Sequence, residues 1–376
     1  MKFNKLIILD PDLRDKNFGH FYTYDNSVKN IFLQNDVETI IYCSKSFSKL
    51  SYEQNIINNI RDYQSKYFKI VEFLLQQFQI YNLLKKITKN SNTHIFIPNL
   101  DFKLFFPLIL ILILHPNIEN ISLFYRYSKE SFFLKKIKFN LFYKIFFKLK
   151  ILQKNKIKLF TDSELLIEEA FNTYNIILNL LPIPHVIKNP KVNEYKNKIN
   201  SIYLPGRLLK GKMFEYVFNE YLEHYNKLPS LKLQKGSDLL FDNISNDIKM
   251  KFICLDEFLD RNRLIEEMIN SEVILLPYSG IGYKTQTSGF FTESVALGKI
   301  VIVGNNTWMS KQIDLNYASG IVIDIQQKNS LICALKNIEE NFEYFRSNAL
   351  KKSIYWLELN SPENFYKIFS KTVTNA

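Results

Sequence analysis

Five of the ten glycines of this 376-residue chain lie between Gly280 and Gly304, beside residues suited to binding a phosphorylated ligand. The apolar run Val273–Leu276 predicts a strand before this segment, and a helical pattern begins near Ser288 and ends at Gly298. Gly289 would let a ligand approach the backbone closely, and the amides at a helix start favour a phosphate group. Loops at the carboxyl ends of parallel strands are where α/β proteins bind such ligands. The segment therefore predicts a binding site around Ser288 and Gly289.

Glu293, in the same predicted helix, is a candidate for binding a vicinal diol. If Ser288 caps the helix, a capping-box carboxylate belongs three residues later, where the chain has Phe291. Glu293 is therefore not explained as a cap, and its carboxylate could accept two hydrogen bonds from a ribose or another sugar. A solvated helical glutamate is the alternative interpretation.

A second candidate site is the basic turn that follows the predicted strand Ser201–Leu204. Gly206 turns the chain, and Arg207, Lys210 and Lys212 then precede a helical pattern that begins near Met213. Positive charge at a helix amino terminus is unfavourable by roughly 0.3–1 kcal/mol per residue, and a bound anion would reverse that sign. Arginine offers a bidentate fork and lysine a point charge to a diphosphate. A solvated basic turn is the alternative.

The segment Asp10–Val28, which follows the first predicted strand, is a third candidate and is interpreted as a loop. It contains Gly19, the single glycine of the first 205 residues, immediately before His20. His20 could act as a general base or as a hydrogen-bond donor, because the ordinary pKa of histidine suits both roles near neutral pH. A capping or packing role is equally consistent with the sequence. Three carboxylates are further candidates for the base: Asp10, Asp12 and Asp15.

Two other predicted strands of the amino-terminal half end in polar residues. Arg126 follows one of them and could reach the same edge of the sheet. Asp162 and Ser163 follow another and begin a helical segment, where capping of that helix is the favoured role.

Short apolar runs alternate with helical segments along the whole chain, which predicts parallel sheets covered by helices. The strands predicted in the first half are Lys5–Leu9, Thr39–Tyr42, His94–Ile97, Ile121–Tyr125 and Ile157–Thr161. Those predicted in the second half are Ser201–Leu204, Leu231–Gln234, Lys251–Cys254, Val273–Leu276, Ile300–Val303 and Gly320–Ile323. Two Rossmann-like domains in tandem are the simplest interpretation.

The domain boundary is expected near residue 185, giving domains 1–185 and 186–376. The segment Leu181–Asn200 contains three prolines and many Asn and Lys residues, which is typical of a linker. Near the end of the chain, Ser361 followed by Pro362 and Glu363 predicts the start of a terminal helix.

The composition limits the classes of partner. The chain has 49 basic and 37 acidic residues, a net charge of +12, which favours an anionic partner such as nucleic acid, an acidic membrane surface or a phosphorylated substrate. Its three cysteines are widely separated, which is typical of a reduced, intracellular protein. The five histidines do not have the spacing of metal ligands, so no metal site is expected. The amino terminus does not resemble a signal peptide, and a cytoplasmic location is expected.

Two segments bear on membrane contact. The run Leu104–Leu114 has 11 residues, whereas a membrane-spanning helix needs about 20, so it is interpreted as a buried element of the core. The segment 132–158 mixes nine lysines with Phe, Leu and Ile. It is interpreted either as a solvated structural helix or as a contact with an anionic membrane surface.

The chain as a whole resembles glycosyltransferases with the GT-B fold, in which two Rossmann-like domains face a cleft and a C-terminal helix returns to the N-terminal domain. The similar segments are the early Gly-His pair, TDS followed by LPIPH, GR with KG, PYS, SGFFTESVALGK and the terminal helix. The resemblance is strongest to bacterial enzymes that build lipopolysaccharide, capsule or other surface glycans. It implies that Arg207 and Lys210 or Lys212 hold the donor diphosphate and that Glu293 holds the ribose.

The same resemblance places Gly19 and His20 in the loop under the transferred sugar. Gly206, Tyr278, Ser288 and Gly289 are assigned to the donor site, and Arg126 is assigned to the acceptor side from its place at a strand end. Two features depart from the pattern of the family. Thr285 stands where common retaining members have a glutamate, and Lys212, at the usual spacing from Arg207, follows its glycine instead of preceding it. A retaining or an inverting reaction are both compatible with this sequence.

The sequence therefore predicts an enzyme, a hexosyl- or deoxyhexosyltransferase that uses a nucleotide-sugar donor and a glycan or lipid-linked acceptor. His20 or Asp10 would assist at the acceptor, and neither a cofactor nor a metal is expected. Peripheral contact with the inner face of the membrane is a further expectation, and nucleic acid is not expected as a partner. The alternatives are a nucleotide-sugar epimerase on the same fold and a basic nucleic-acid-binding protein.

Overall fold

The computed structural model describes most of the chain between residues 3 and 374. The described ranges are 3–14, 18–47, 55–61, 69–90, 92–100, 102–115, 118, 120–134, 137–152, 157–184, 199–206, 213–234, 245–257, 259–279 and 281–374. The chain divides into two compact units. The first comprises Met1–His185 together with Asn360–Ala376, and the second comprises Val186–Leu359.

The first unit is built on a parallel sheet with strand order β3-β2-β1-β4-β5-β8-β9. Its strands are β1 Lys5–Asp10, β2 Glu38–Ser44, β3 Ile56–Ile60, β4 Thr93–Ile97, β5 Ile121–Phe124, β8 Lys158–Thr161 and β9 Asn179–Leu180. A separate antiparallel hairpin is formed by β6 Phe132–Leu134 and β7 Ile137–Lys138.

Helices cover both faces of this sheet because its strands are apolar on both sides. In β1, Leu6 and Ile8 belong to one buried cluster, and Ile7 and Leu9 belong to another on the opposite face. The helices are α1 Phe18–Leu33, α2 Lys69–Thr88, α3 Phe102–Leu114, α4 Phe139–Leu152, α5 Glu164–Tyr174 and α14 Pro362–Thr374. The cluster with Leu6 is completed by α1 and α14, and the cluster with Ile7 by α2, α3, α4 and α5.

The second unit has a parallel sheet with strand order β12-β11-β10-β13-β14-β15. Its strands are β10 Ser201–Leu204, β11 Ser230–Gln234, β12 Phe252–Leu255, β13 Val273–Leu276, β14 Ile300–Gly304 and β15 Gly320–Ile323. Its helices are α6 Phe214–His224, α7 Asn246–Lys249, α8 Arg261–Ile269, α9 Ile281–Thr285, α10 Gly289–Ala296, α11 Trp308–Asp314, α12 Ser330–Glu340 and α13 Phe342–Leu359. On one face α6, α12 and α13 complete the core, while on the other Phe291 of α10 packs against Trp308 and Trp356.

The predicted alternation of strands and helices is confirmed in both units, with strand ends that differ by a few residues. The predicted start of the last helix is also confirmed, since Ser361 Oγ accepts a hydrogen bond from the amide of Asn364 at 3.1 Å. Four strands, β3, β6, β7 and β9, were not predicted, and the segment 132–158 begins with the β6–β7 hairpin before it becomes helical in α4. Residues 185–198 of the predicted linker lie outside the described residues.

Two predictions were wrong. The segment interpreted as a loop up to Val28 is helical from Phe18 onward, because Tyr24, Val28 and Ile31 recur at helical spacing and bury one side of α1. The run Leu104–Leu114 is not wholly buried, since one side of α3 packs in the core and the other is exposed. Among the described helices none is both long and apolar enough to cross a membrane.

Candidate functional site

Each sheet has a point where the strand order reverses, and the candidate residues gather at these points. In the second unit the chain continues from β10 to β11 on one side and from β13 to β14 on the other, so the reversal lies between β10 and β13. In the first unit it lies between β1 and β4. Open α/β sheets bind ligands at the carboxyl ends of the strands that flank such a reversal.

In the second unit, Gly206 and Tyr278 follow the two strands at the reversal. Gly206 has φ of 80°, a backbone conformation that glycine adopts without strain, and it ends the turn after β10. Tyr278 is buried two residues after β13, and its ring centroid lies 4.6 Å from that of Tyr283. The predicted diphosphate ligands, Arg207, Lys210 and Lys212, lie outside the described residues. In the sequence they lie one, four and six residues after Gly206.

Ser288 is the N-cap of α10, as the sequence predicted. Its hydroxyl accepts a hydrogen bond from the amide of Phe291 at 3.3 Å, and Gly289 is the first helical residue. Helix α10 therefore begins at the edge of the sheet where β13 ends, with its positive dipole end at that edge. This arrangement suits a phosphate group near Ser288 and Gly289.

Glu293 lies one turn into α10 and is buried, with 4% of its surface exposed. Its Oε1 accepts a hydrogen bond from Nη1 of Arg261 at 2.8 Å, so the solvated interpretation of this glutamate was wrong. Burial raises the pKa of Glu293, and the adjacent Arg261 guanidinium opposes that rise. A buried carboxylate that is oriented by an arginine is pre-organised to accept hydrogen bonds from a hydroxyl pair.

Arg261 is a residue that the sequence reasoning missed. It is the first residue of α8, the helix that follows β12, and Asp260 caps that helix through a hydrogen bond from the amide of Arg263 at 2.9 Å. Two arginines in the first turn of a helix are unfavourable, because their positive charge lies at the positive end of the helix dipole. The same argument was applied to the basic residues that follow Gly206 in the sequence. That signal was present in the sequence and could have marked Arg261 as a site residue.

Two of the five glycines between Gly280 and Gly304 have a structural role. A Cβ atom on Gly304 would lie 2.3 Å from the carbonyl oxygen of Tyr278, and Gly298 has φ of 64° at the end of α10. Gly304 therefore lets the end of β14 pass close to the backbone at Tyr278, and Gly298 ends the helix that carries Glu293. Both glycines position the candidate site without needing to touch a ligand.

In the first unit, Asp10 ends β1 and belongs to a network of charged groups at the reversal. Its Oδ1 accepts a hydrogen bond from the amide of Asp12 at 2.8 Å. The carboxylate of Asp12 in turn accepts hydrogen bonds from Asn99 at 3.0 Å and from Lys103, with which it forms an ion pair. Burial lowers the pKa of Lys103 to about 8, against the opposing effect of Asp10. The network joins the ends of β1 and β4.

Asp25, on α1, was not among the predicted residues and forms a carboxyl pair with Asp10. Both side chains are about 1% exposed. Burial raises the pKa of Asp10 to about 6, and burial together with the negative charge of Asp10 raises the pKa of Asp25 well above its ordinary value. Asp25 therefore keeps its proton to a higher pH than an ordinary aspartate does. Asp25 lay within a predicted loop, and its contact with Asp10 depends on the helix that formed there.

Arg126 follows β5 and lies over two aromatic rings. Its guanidinium carbon is 4.9 Å from the ring centroid of Tyr24 and 5.1 Å from that of Phe124. Burial disfavours its charged form, but Asp162 and the nearby Asp10 outweigh this effect and raise its pKa. The structure thus brings Asp10 and Arg126, both predicted as site residues, into one charged network.

The remaining candidate residues of the first unit are Asp15, Gly19, His20, Asp162 and Ser163. Ser163 is the N-cap of α5, which confirms the favoured capping role, and Asp162 contributes charge near Arg126. Gly19 and His20 lie in the first turn of α1, and the side chain of His20 is outside the described part of the structure. Asp15 also lies outside the described residues. Among the described residues, no group of three or more His, Cys, Asp or Glu side chains has an arrangement suited to a metal ion.

No protein-family model matches the chain, and no curated protein matches its sequence significantly. Its structure is similar to that of a glycosyltransferase from Rickettsia africae ESF-5, with 12% identity, a TM-score of 0.65 and 100% of both chains covered. It is also similar to sucrose-phosphate synthase from Thermosynechococcus elongatus, with 11% identity, a TM-score of 0.69 and coverage of 99% and 98%. A third similar structure is Anabaena HepE in complex with UDP, with 9% identity, a TM-score of 0.69 and coverage of 99% and 100%.

At these identities the similarity establishes the fold. The chain has the two Rossmann-like domains of the GT-B type that its sequence predicted, and its last helix belongs to the first unit.

Proposed function

We propose that this protein is a glycosyltransferase that transfers a sugar from a nucleotide-diphosphate donor to a hydroxyl group of a glycan or lipid-linked acceptor. The observation that supports the proposal best is the arrangement at the strand reversal of the second unit. There the amino terminus of α10 and the buried Glu293 accompany the glycine turn that leads into Arg207. Such a site combines a position for phosphate with a position for a ribose diol.

In this proposal the second unit binds the donor. Arg207, with Lys210 or Lys212, neutralises the diphosphate, and the amides at Ser288 and Gly289 contribute the helix dipole. Glu293, oriented by Arg261, accepts hydrogen bonds from the two ribose hydroxyls. Basic side chains and amides stabilise the departing diphosphate, so the transfer is proposed to proceed without a metal or another cofactor.

The first unit supplies the groups that act on the acceptor. The acceptor oxygen attacks the anomeric carbon, the bond from that carbon to the donor phosphate breaks, and the nucleoside diphosphate leaves with the electron pair. Asp10, or His20, takes the proton of the attacking hydroxyl. Asp10 is the better supported base, because it lies at the end of β1 and burial raises its pKa to about 6, which suits proton transfer near neutral pH. Arg126 provides positive charge beside it.

A role in the synthesis of lipopolysaccharide, capsule or another surface glycan is the biological setting that we propose. HepE, one of the similar structures, contains UDP, so a uridine nucleotide is the first donor to test. The transferred sugar is proposed to be a hexose or a deoxyhexose. Peripheral attachment at the inner face of the membrane would bring the enzyme to a lipid-linked acceptor.

The test is a thermal-shift screen of UDP-, GDP-, dTDP- and CMP-sugars against the wild type and Glu293→Gln. We expect one nucleotide class to raise the melting temperature of the wild type, and we expect Glu293→Gln to lose most of that rise. Glu267→Gln is a matched control, because Glu267 is also buried and pairs with an arginine at 2.8 Å. Absence of stabilisation by every donor would refute the proposal.

A second measurement separates transfer from epimerisation. A glycosyltransferase releases nucleoside diphosphate at a rate that increases when the acceptor is present, whereas an epimerase converts the nucleotide-sugar without any acceptor. Analysis of the nucleotide-sugar pool by nuclear magnetic resonance distinguishes the two. Conversion to an isomeric nucleotide-sugar with no release of nucleoside diphosphate would assign the epimerase activity instead.

A further inference from the structure

Three helices of the first unit form a layer on one side of its sheet. Helix α2 packs on α3, where the ring centroids of Phe73 and Phe106 are 6.3 Å apart, and α3 packs on α4, where those of Phe105 and Phe142 are 4.0 Å apart. The inner sides of all three helices contribute to a single buried cluster over the sheet. Their outer sides therefore face away from the core.

These outer sides are apolar. Ten of the twenty large apolar residues that are exposed in the described part of the chain lie on these three helices. We call them the outer apolar face, and they are Val71, Leu74, Leu75, Phe78, Phe106, Leu110, Ile113, Leu114, Leu141 and Ile145. Within each helix they recur at the spacing of a single stripe. A contiguous apolar surface on a folded domain indicates a site of interaction.

Lysines accompany this face. On α2 the stripe that contains Phe78 at 65% exposure continues into the exposed Lys85 and Lys86, and on α4 the exposed Lys144 and Lys148 lie beside Leu141 and Ile145. The three helices together contain one acidic residue, Glu72, and of their seven lysines Lys103 is the one buried in the ion pair with Asp12. Apolar residues flanked by lysines are the pattern of helices that lie in the surface of an anionic bilayer.

The charges also distinguish a bilayer from a second copy of this chain. A two-fold interface through this face would place the same lysines on both sides of the contact, where they would repel one another. An anionic headgroup layer would attract them, and the acyl region below it would accept Phe78, Leu110 and Leu114. Helix α3 has 13 residues and a length of roughly 20 Å, against the ~30 Å of a bilayer core, so it would lie on the membrane and not cross it.

We propose that the outer apolar face of α2, α3 and α4 is the surface by which this protein docks on an anionic lipid bilayer. It extends the sequence-based expectation from the lysine-rich segment 132–158 to a surface shared by three helices, most of it outside that segment. The proposal deepens the proposed function, because a lipid-linked acceptor would be presented at the bilayer. It rests on the proposed function only for the reason why the protein docks there. The docking itself needs neither donor nor acceptor.

The test is flotation of the full chain with vesicles of phosphatidylcholine, with and without phosphatidylglycerol. We expect the wild type to float with the anionic vesicles and to bind neutral ones much less. Phe78→Ser combined with Leu110→Ser should lower binding by at least about tenfold, from the apolar area lost. Lys144→Gln combined with Lys148→Gln should lower it by about fivefold per lysine and should weaken its dependence on salt.

Matched controls come from the same unit. Phe171→Ser removes an aromatic residue that is 53% exposed on α5, and Lys367→Gln with Lys371→Gln removes an exposed lysine pair with the same spacing on α14. These variants should float like the wild type. Because the lysine variants alter exposed groups only, they keep the test valid if the apolar double variant fails to fold.

Three results would overturn the proposal. The first is that the wild type does not float with anionic vesicles, and the second is that the control variants lose as much vesicle binding as the test variants do. The third is that the protein forms a dimer in solution and that Phe78→Ser with Leu110→Ser dissociates this dimer. Nucleotide-sugar stabilisation is measured on the same samples. Flotation without nucleotide binding would refute the proposed function and leave the docking surface supported. Nucleotide binding without flotation would refute the docking surface and leave the proposed function supported.

Discussion

His94 provides a quantitative test of the first unit, because its burial links folding to pH. It lies in β4, its Nε2 is 2.7 Å from Ser122 Oγ, and its ring centroid is 4.9 Å from that of Phe3. Burial lowers the pKa of His94 from 6.5 to about 3. Between these values the unfolded chain binds a proton at this position and the folded chain does not. Stability must therefore fall as the pH is lowered through this range.

The size of this effect follows from the shift. Each pH unit inside the window changes the free energy of unfolding by about 1.4 kcal/mol, so His94 alone should cost about 2 kcal/mol at pH 5 relative to pH 7. The substitution His94→Gln keeps a polar side chain that does not titrate. We expect this variant to lose about 2 kcal/mol less than the wild type between pH 7 and pH 5, whatever its stability at pH 7.

Urea unfolding at the two pH values measures this difference, and the choice of probe assigns it to a unit. Both tryptophans of the chain, Trp308 and Trp356, lie in the second unit, so their fluorescence reports on that unit, while far-ultraviolet circular dichroism reports on both. The effect of His94 should appear in the circular dichroism transition of the first unit. Ile95→Val is the control, because it removes one buried methyl group from the same strand and should leave the pH dependence unchanged. The reasoning is refuted if His94→Gln and the wild type lose the same free energy on acidification.

Four further predictions concern the candidate residues of the two units. Gly304→Ala should destabilise the second unit by about 1–3 kcal/mol or more in urea unfolding, because the new methyl group meets the carbonyl of Tyr278 at 2.3 Å. Gly289→Ala, at the start of α10, should leave stability unchanged or raised and should weaken nucleotide-sugar binding in a titration; unchanged binding would remove Gly289 from the site. If Asp10 is the base, its raised pKa predicts that kcat/KM increases with pH up to about 6, and Asp10→Asn should lower kcat by roughly 10²–10⁴-fold with donor binding retained. Asp25→Asn, which can still donate to Asp10, should keep that acid limb in the pH–rate profile, whereas Asp25→Leu should move it to higher pH; identical profiles for both variants would exclude the pairing as the cause.

Much of the fold could be predicted from local sequence. Strands such as Val273–Leu276 and Ile300–Gly304 are short runs of branched apolar residues, and the polar segments between them carry helix caps such as Ser288. The strand β3 escaped prediction because Asn58 and Asn59 interrupt its apolar pattern. The start of α1 escaped because Gly19 and the polar residues near it resemble a loop.

The candidate site was predictable only in part. Ser288 and Gly289 lie where a strand, a loop and a helix follow one another in the chain, so their place could be predicted from that order alone. Arg261 and Glu293 are 32 residues apart, and Lys103 and Asp12 are 91 residues apart. Neither pairing has a local signal, because each depends on how two helices or loops pack at one edge of a sheet.

The sequence by itself determined the order of strands and helices, the capping of α10 and the glycine turn after β10, because these depend on residues that are neighbours in the chain. Only the tertiary structure decided that Glu293 is buried against Arg261, that Asp10 is buried beside Asp25, and that the apolar run of α3 has one side in the core and one side exposed. Burial and the contact of charges distant in sequence arise when elements pack together. The same packing buries Asp10, which raises its pKa, and leaves the outer apolar face exposed.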